Sequence, residues 1–157
     1  MNRQVVDLGF ILKQFPDFKF SVEDFDGRLR LQKFIYLMQI FDIYLGYDFS
    51  WYLRGPYCST LAASGFALEQ IYHKIPNDKV KFSSAVIQKR FDKFRNFIKK
   101  RNNDNDFLEI AASIHYLQKI CTLNDDEIIA KVVKKQPRFT EDKVRTIYEE
   151  LKKWPLI

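Results

Sequence analysis

The chain has 157 residues, with 26 Lys/Arg against 20 Asp/Glu and a net charge of +6 when both histidines are neutral. That length predicts a single domain over residues 1–157, and a chain of this size buries roughly 70% of its unfolded surface, so it needs neither disulfide nor metal to hold together. Five Gly and five Pro argue against a sandwich or barrel full of tight turns, and two cysteines, Cys58 and Cys121, cannot build a disulfide framework. No apolar run reaches the ~20 residues that cross a bilayer, and nothing at the N-terminus resembles a signal peptide, so the expected setting is cytoplasmic.

Taken in chain order, Val5 to Phe15 predicts a short apolar helix that Pro16 ends. Asp17 to Gly27 reads as a polar-aromatic connection. Arg28 to Leu45 is a helix apolar nearly all round, which predicts a central, buried element. Its polar residues Gln32, Tyr36 and Gln39 recur at i, i+4 and i+7 and form one narrow stripe. Tyr47, Phe49, Trp51 and Leu53 then alternate with polar or amphipathic residues, a period of two that predicts a short strand. Gly55-Pro56 is expected to end that strand in a bend.

A helix follows to about His73, opening with Ala62, Ala63, Ser64 and Gly65, whose small side chains allow another backbone to approach. Lys79 to Phe82 is a weak strand candidate to pair with Tyr47–Leu53. Ser83 or Ser84 caps the next helix. There Ile87, Phe91, Phe94 and Ile98 form a core-facing stripe, with Lys89, Lys93, Asn96 and Lys100 on the opposite face. Arg101 to Asp106 reads as a loop. Phe107 to Cys121 points Leu108, Ala111, Ile114 and Leu117 inward. Asn124 with Glu127 resembles a capping box and opens a helix to about Lys135. Thr140 caps the last helix, whose Val144, Ile147, Tyr148 and Leu151 face the core. The predicted fold class is mainly α, a bundle of six or seven helices with a small two-stranded β element that must lie against the helices to be stable.

Charge is unevenly distributed. Residues 74–101 hold ten Lys/Arg and two Asp/Glu, while the stretches on either side are each net −1. Ordinary solvated helices mix signs at i,i+4, so Lys89, Arg90, Lys93, Lys100 and Arg101 are candidates to follow a nucleic-acid backbone or to meet an acidic partner. A second candidate is the corner SWYLRGPYCST, residues 50–60. Trp51, Gly55 and Pro56 read as architectural, and Tyr52, Arg54 and Tyr57 as a binding edge, because Tyr and Arg bring large area and several donors at low entropy cost. Tyr52 and Arg54 are expected on the face opposite Trp51, free for recognition. Gln32 and Lys33, on a buried helix, need partners and could donate to carbonyls at this corner.

No catalytic constellation emerges. His73 and His115 share no ligand spacing with the cysteines, and Asp104-Asn105-Asp106 lacks the Gly and Glu of a calcium loop. No nucleophile elbow, phosphate loop or dinucleotide fingerprint occurs. No metal or cofactor is expected.

The pair of motifs LQKFIYL (31–37) and WYLRGPY (51–57) resembles the Panacea antitoxin domain, with its LQKLLY-like helix and W-x-x-GP turn. A closer likeness is to small uncharacterised bacterial and archaeal proteins with LQK-x-x-YLL, WYL-x-GPYS and LAS-x-HYL motifs; LEIAASIHYL (108–117) matches the last of these. The likeness covers roughly residues 28–66 and 107–150, with the basic segment outside it, and Cys58 departs from the usual Ser. The resemblance implies a compact, mostly helical module that neutralises a toxin by binding it or bringing it to other proteins, and it implies no catalytic residue. The expected function is therefore a non-enzymatic regulatory module with a macromolecular partner. A nucleic-acid-binding protein using residues 74–101, and a nuclease-like enzyme, are the alternatives.

Overall fold

The computed structural model describes residues 2–79, 81, 82, 84–154, 156 and 157. Seven α-helices and one antiparallel hairpin lie among them: α1 (Arg3–Lys13), α2 (Phe25–Gln39), β1 (Ser50–Tyr52), β2 (Gly55–Tyr57), α3 (Ser59–Glu69), a 3₁₀ turn at Tyr72–Lys74, α4 (Ala85–Ile98), α5 (Asn105–Ile120), α6 (Asp125–Lys135) and α7 (Glu141–Lys153). The predicted fold class, mainly α with a small two-stranded element, is the observed one.

Two helices form the centre. Every residue from Leu31 to Met38 in α2, and from Phe107 to Ile114 in α5, is buried. The two pack on each other, α6 and α7 pack on α5, and α3 joins α1 and α2. The close approach of α3 to α2 explains one small residue: a Cβ on Gly65 would lie 2.7 Å from Leu31 Cδ2 and 3.2 Å from Val22 Cγ1. On the other side, α4 turns Phe91, Phe94 and Phe97 into an aromatic cluster with Phe15, Phe34 and Phe41, the ring centroids 5.1–5.7 Å apart. Edge-on contacts at this spacing add to the stabilisation from burial alone.

Local signals set the helix starts. Asp24 caps α2 by accepting from Gly27 N at 2.7 Å, Ser84 caps α4, Asp104 caps α5 and Thr140 caps α7. Asn124 and Glu127 form a complete capping box at α6. Ser83, the other candidate for α4, lies outside the described residues. Cys58 takes the capping position of α3 despite its sulfur: Sγ accepts from Leu61 N at 3.4 Å.

Several boundaries differ from expectation. α2 ends at Gln39, six residues early, because the Gln39 side chain folds back to bind Leu45 N, Tyr47 N and Tyr47 O and so closes the connection 40–47. α4 ends at Ile98, and Lys100 takes a left-handed φ of 65°, so Lys100 and Arg101 are not helical. The hairpin is the largest correction. Lys79–Phe82 is not the partner strand: Lys79, Lys81 and Phe82 are not in a strand, and Val80 lies outside the described residues. The partner is Gly55–Tyr57, with Tyr52 opposite Gly55, Trp51 opposite Pro56 and Ser50 opposite Tyr57. Leu53 and Arg54 therefore make the turn, and Gly55-Pro56 opens the second strand instead of closing the first. A lone two-stranded sheet tolerates Pro56 because its missing N–H falls on an edge.

Candidate functional site

The hairpin is fastened to the helical core by side chains that reach its backbone. Gln32 makes a reciprocal pair with Cys58, donating Nε2 to Cys58 O at 2.8 Å and accepting from Cys58 N at 2.8 Å. Lys33 Nζ donates to Pro56 O at 2.7 Å. Gln136 Nε2, at the end of α6, donates to Leu53 O at 3.1 Å. Gly55 sits at φ +101°, and a Cβ there would meet Ser113 Oγ on α5 at 2.4 Å, so both conformation and space require glycine. Trp51 stacks on Tyr116 of α5 at 5.5 Å, with Lys135 Nζ 4.7 Å from its ring centroid. Its aromatic support thus comes from α5.

Arg54 is where the sequence reading fails. It does not point outward for recognition. Its guanidinium forks onto Glu109 of α5, with Nε at 3.1 and 3.2 Å from the two carboxylate oxygens and Nη2 at 2.7 Å from Oε1. Arg138 Nη2 completes the shell at 2.7 Å from the same Oε1. The Glu109 side chain is 1% exposed, and an acidic group that deep is strongly destabilising without such partners. The turn at Leu53-Arg54 swings Arg54 back toward the core, so strand alternation does not apply to it.

Lys33 is buried beside this cluster. Its ammonium is pushed down to about 7, first by burial and then by the charges of Arg54 and Lys135, with Glu109 opposing. An ordinary lysine in the unfolded chain titrates near 10.5. Between those values the unfolded chain holds a proton that the folded chain has released, so stability rises with pH from about 7 toward about 10. Lys33→Met is expected to flatten that rise in urea titrations across the window; an unchanged slope would show that Lys33 keeps its proton in the fold. His115, lowered to about 4 by burial and then by Lys119, contributes in the same sense between about 4 and its ordinary 6.5. Its Nδ1 lies 2.7 Å from the buried Tyr36 hydroxyl, which places this lone histidine in the core-to-rim contact of α2 with α5.

In front of these tethers lies a groove of about 470 Å³. α2 supplies Phe25, Arg28 and Leu29, the hairpin supplies Tyr52, Leu53, Arg54 and Tyr57, and α3 supplies Ala62 and Phe66. Phe25 is 48% exposed, Tyr52 55%, Leu53 68% and Phe66 52%. The rings of Tyr52 and Tyr57 lie 5.3 Å apart on one wall, and Arg54 lies 5.1 Å from the Phe25 ring centroid. The three residues proposed from sequence as a binding edge, Tyr52, Arg54 and Tyr57, do converge here, with Arg54 as a wall anchored from behind.

No family model, curated protein or solved structure matches the chain. The site is therefore read from its own chemistry. Its walls are mostly apolar and aromatic, Gln32 and Lys33 are occupied by the backbone at the hairpin, and among the described residues no His, Cys, Asp or Glu lines it. Among the described residues no three such side chains gather as a metal-binding group.

The basic segment is less uniform than its composition. Lys89, Lys93 and Lys100 are exposed. Arg101 turns inward to Glu150 at 3.1 Å and lies 4.1 Å from the Phe107 ring centroid. Arg90 donates to Asp42 O at 3.3 Å. Arg95 donates to Gln14 O at 2.8 Å and packs on Phe15 and Phe91. The guanidiniums thus tie α4 and the turn after it to the body, whereas Lys89, Lys93 and Lys100 are exposed without such contacts among the described residues.

Sequence reasoning missed Phe25, Arg28, Phe66 and Glu109. Phe25 falls in the stretch 17–27 that the sequence reads as a connection, whereas it opens α2, and nothing in the helix after the corner singles out Phe66. Glu109 did leave a signal, the one charged residue inside the buried run Phe107–Ile114, since such a group is almost never buried without a partner.

Proposed function

We propose that this chain is a non-enzymatic regulatory module that binds another macromolecule, in the manner of the Panacea antitoxin domain that its LQK and GPY motifs resemble. The groove between α2, the hairpin and α3 is its docking surface. The observation that carries this reading is the gathering of Phe25, Tyr52, Leu53 and Phe66, all about half exposed or more, around one concavity. A folded chain gains nothing by leaving four large apolar side chains together in water, whereas an interface uses them as anchors. The motif residues add support. Gln32 and Lys33 line this same groove and hold the backbone of Pro56 and Cys58 next to the hairpin wall, so the signature supports the docking surface.

A second reading is favoured by the lysines of α4 and the turn after it. Lys89, Lys93 and Lys100 are exposed and form no ion pair among the described residues. Such a set suits phosphate neutralisation.

One capture experiment separates the two. The immobilised chain is exposed to native extract as wild type, as Leu53→Glu with Phe66→Glu, and as Lys89→Ala with Lys93→Ala and Lys100→Ala. The groove reading expects a polypeptide retained by the wild type, lost with the first variant and kept with the second. Retained nucleic acid that survives the groove change but is lost with the lysine change, or as salt rises, favours the second reading. Empty wild-type beads would sink both.

A further inference from the structure

The groove's basic residues have no acidic counterpart: Arg28, Lys33 and Arg54 line it, and among the described residues no Asp or Glu does. Two of those cations are already used: Arg54 by Glu109, and Lys33 by Pro56 O, deep in the wall. Arg28 differs. One of its guanidinium nitrogens, Nη1, donates to Val22 O at 3.0 Å, and no carboxylate lies within ion-pair distance of it among the described residues. It stands in the first turn of α2, one turn from Phe25 and adjacent to Leu29, so its planar fork lies on the apolar wall itself. An arginine at such a place has donors and charge unmatched by the protein around it, and the fork geometry suits a carboxylate.

We infer that the groove takes a peptide segment of the partner protein that inserts large apolar side chains among Phe25, Tyr52, Leu53 and Phe66 and places an Asp or Glu against Arg28. This rests on the docking role proposed above for the same groove and adds the chemistry of the occupant. Apolar anchors supply the contact area, as when an amphipathic helix lies in a groove. The charge pair sets register and rejects basic segments, because a like charge brought to Arg28 is left without solvent or partner.

The test is a random library of twelve-residue peptides selected on the wild-type chain, with binders to the Leu53→Glu, Phe66→Glu variant removed. The inference expects the recovered peptides to combine two or more large apolar residues with at least one Asp or Glu. Arg28→Glu should weaken those peptides about tenfold or more and, in a fresh selection, enrich Lys and Arg instead. Arg28→Gln, which keeps amide donors and changes the fold least, should give an intermediate loss, and circular dichroism checks that each variant is folded. Groove-dependent peptides without acidic bias, or with affinity unmoved by Arg28→Glu, would overturn the inference and leave the docking role standing. Recovery of no groove-dependent peptide would overturn both.

Discussion

Replacing Gln32 with Leu is expected to destabilise the fold by about 4 kcal/mol, since each buried polar group left without a partner costs roughly 1–3 kcal/mol. The side chain is buried and satisfies both the N–H and the carbonyl of Cys58, each at 2.8 Å. Leucine fits the volume but offers neither donor nor acceptor, and both Gln32 and Cys58 are buried. Gln32→Glu separates geometry from chemistry: it keeps an acceptor for Cys58 N but faces Cys58 O with a second oxygen, so it should be no better than Leu. Urea unfolding followed by helical signal gives the difference. A loss below about 1 kcal/mol for Leu would mean that the hairpin rearranges to find other partners, and the clasp would then not be structural.

The second large effect is expected at Arg54. Arg54→Ala leaves Glu109 buried with one guanidinium instead of two, and breaking a buried pair by removing one partner costs about 3–5 kcal/mol. The lower end is expected, because Arg138 still reaches Oε1 at 2.7 Å. Arg54→Lys should recover little, as an ammonium cannot bridge both carboxylate oxygens. Glu109→Leu combined with Arg54→Met should be far milder than Arg54→Ala alone, because apolar replacement removes the need for the pair altogether. If the double variant is worse than the sum of the single ones, the cluster is not the self-contained unit described.

The central helices were legible because their signal is local. A mostly apolar run from Leu31 to Met38, interrupted by Gln32, Lys33 and Tyr36, names a buried helix, and Asn124 with Glu127 names a helix start. The hairpin was not legible, because its turn lacks the Asn-Gly or Asp-Gly pair that advertises a two-residue loop. The positive φ falls on Gly55, after the turn, and Pro56 argued against a strand. The role of Arg54 was hidden for another reason. Its partner is 55 residues away, and nothing in either segment announces the other. The groove belongs to the same class: Phe25 and Phe66 share it only because α3 settles on α2 at Gly65, a contact set by the fold as a whole.

Those long spans also bear on how the molecule is made. The two three-residue strands have no stability of their own, and they are held by Gln32 from 26 residues before Cys58 and by Glu109 from 55 residues after Arg54. A nascent chain that has exposed only its first half can close the first link but not the second. The mouth of the groove therefore sets only after α5 has emerged from the ribosome, and the proposed docking surface would be absent from fragments that end before it.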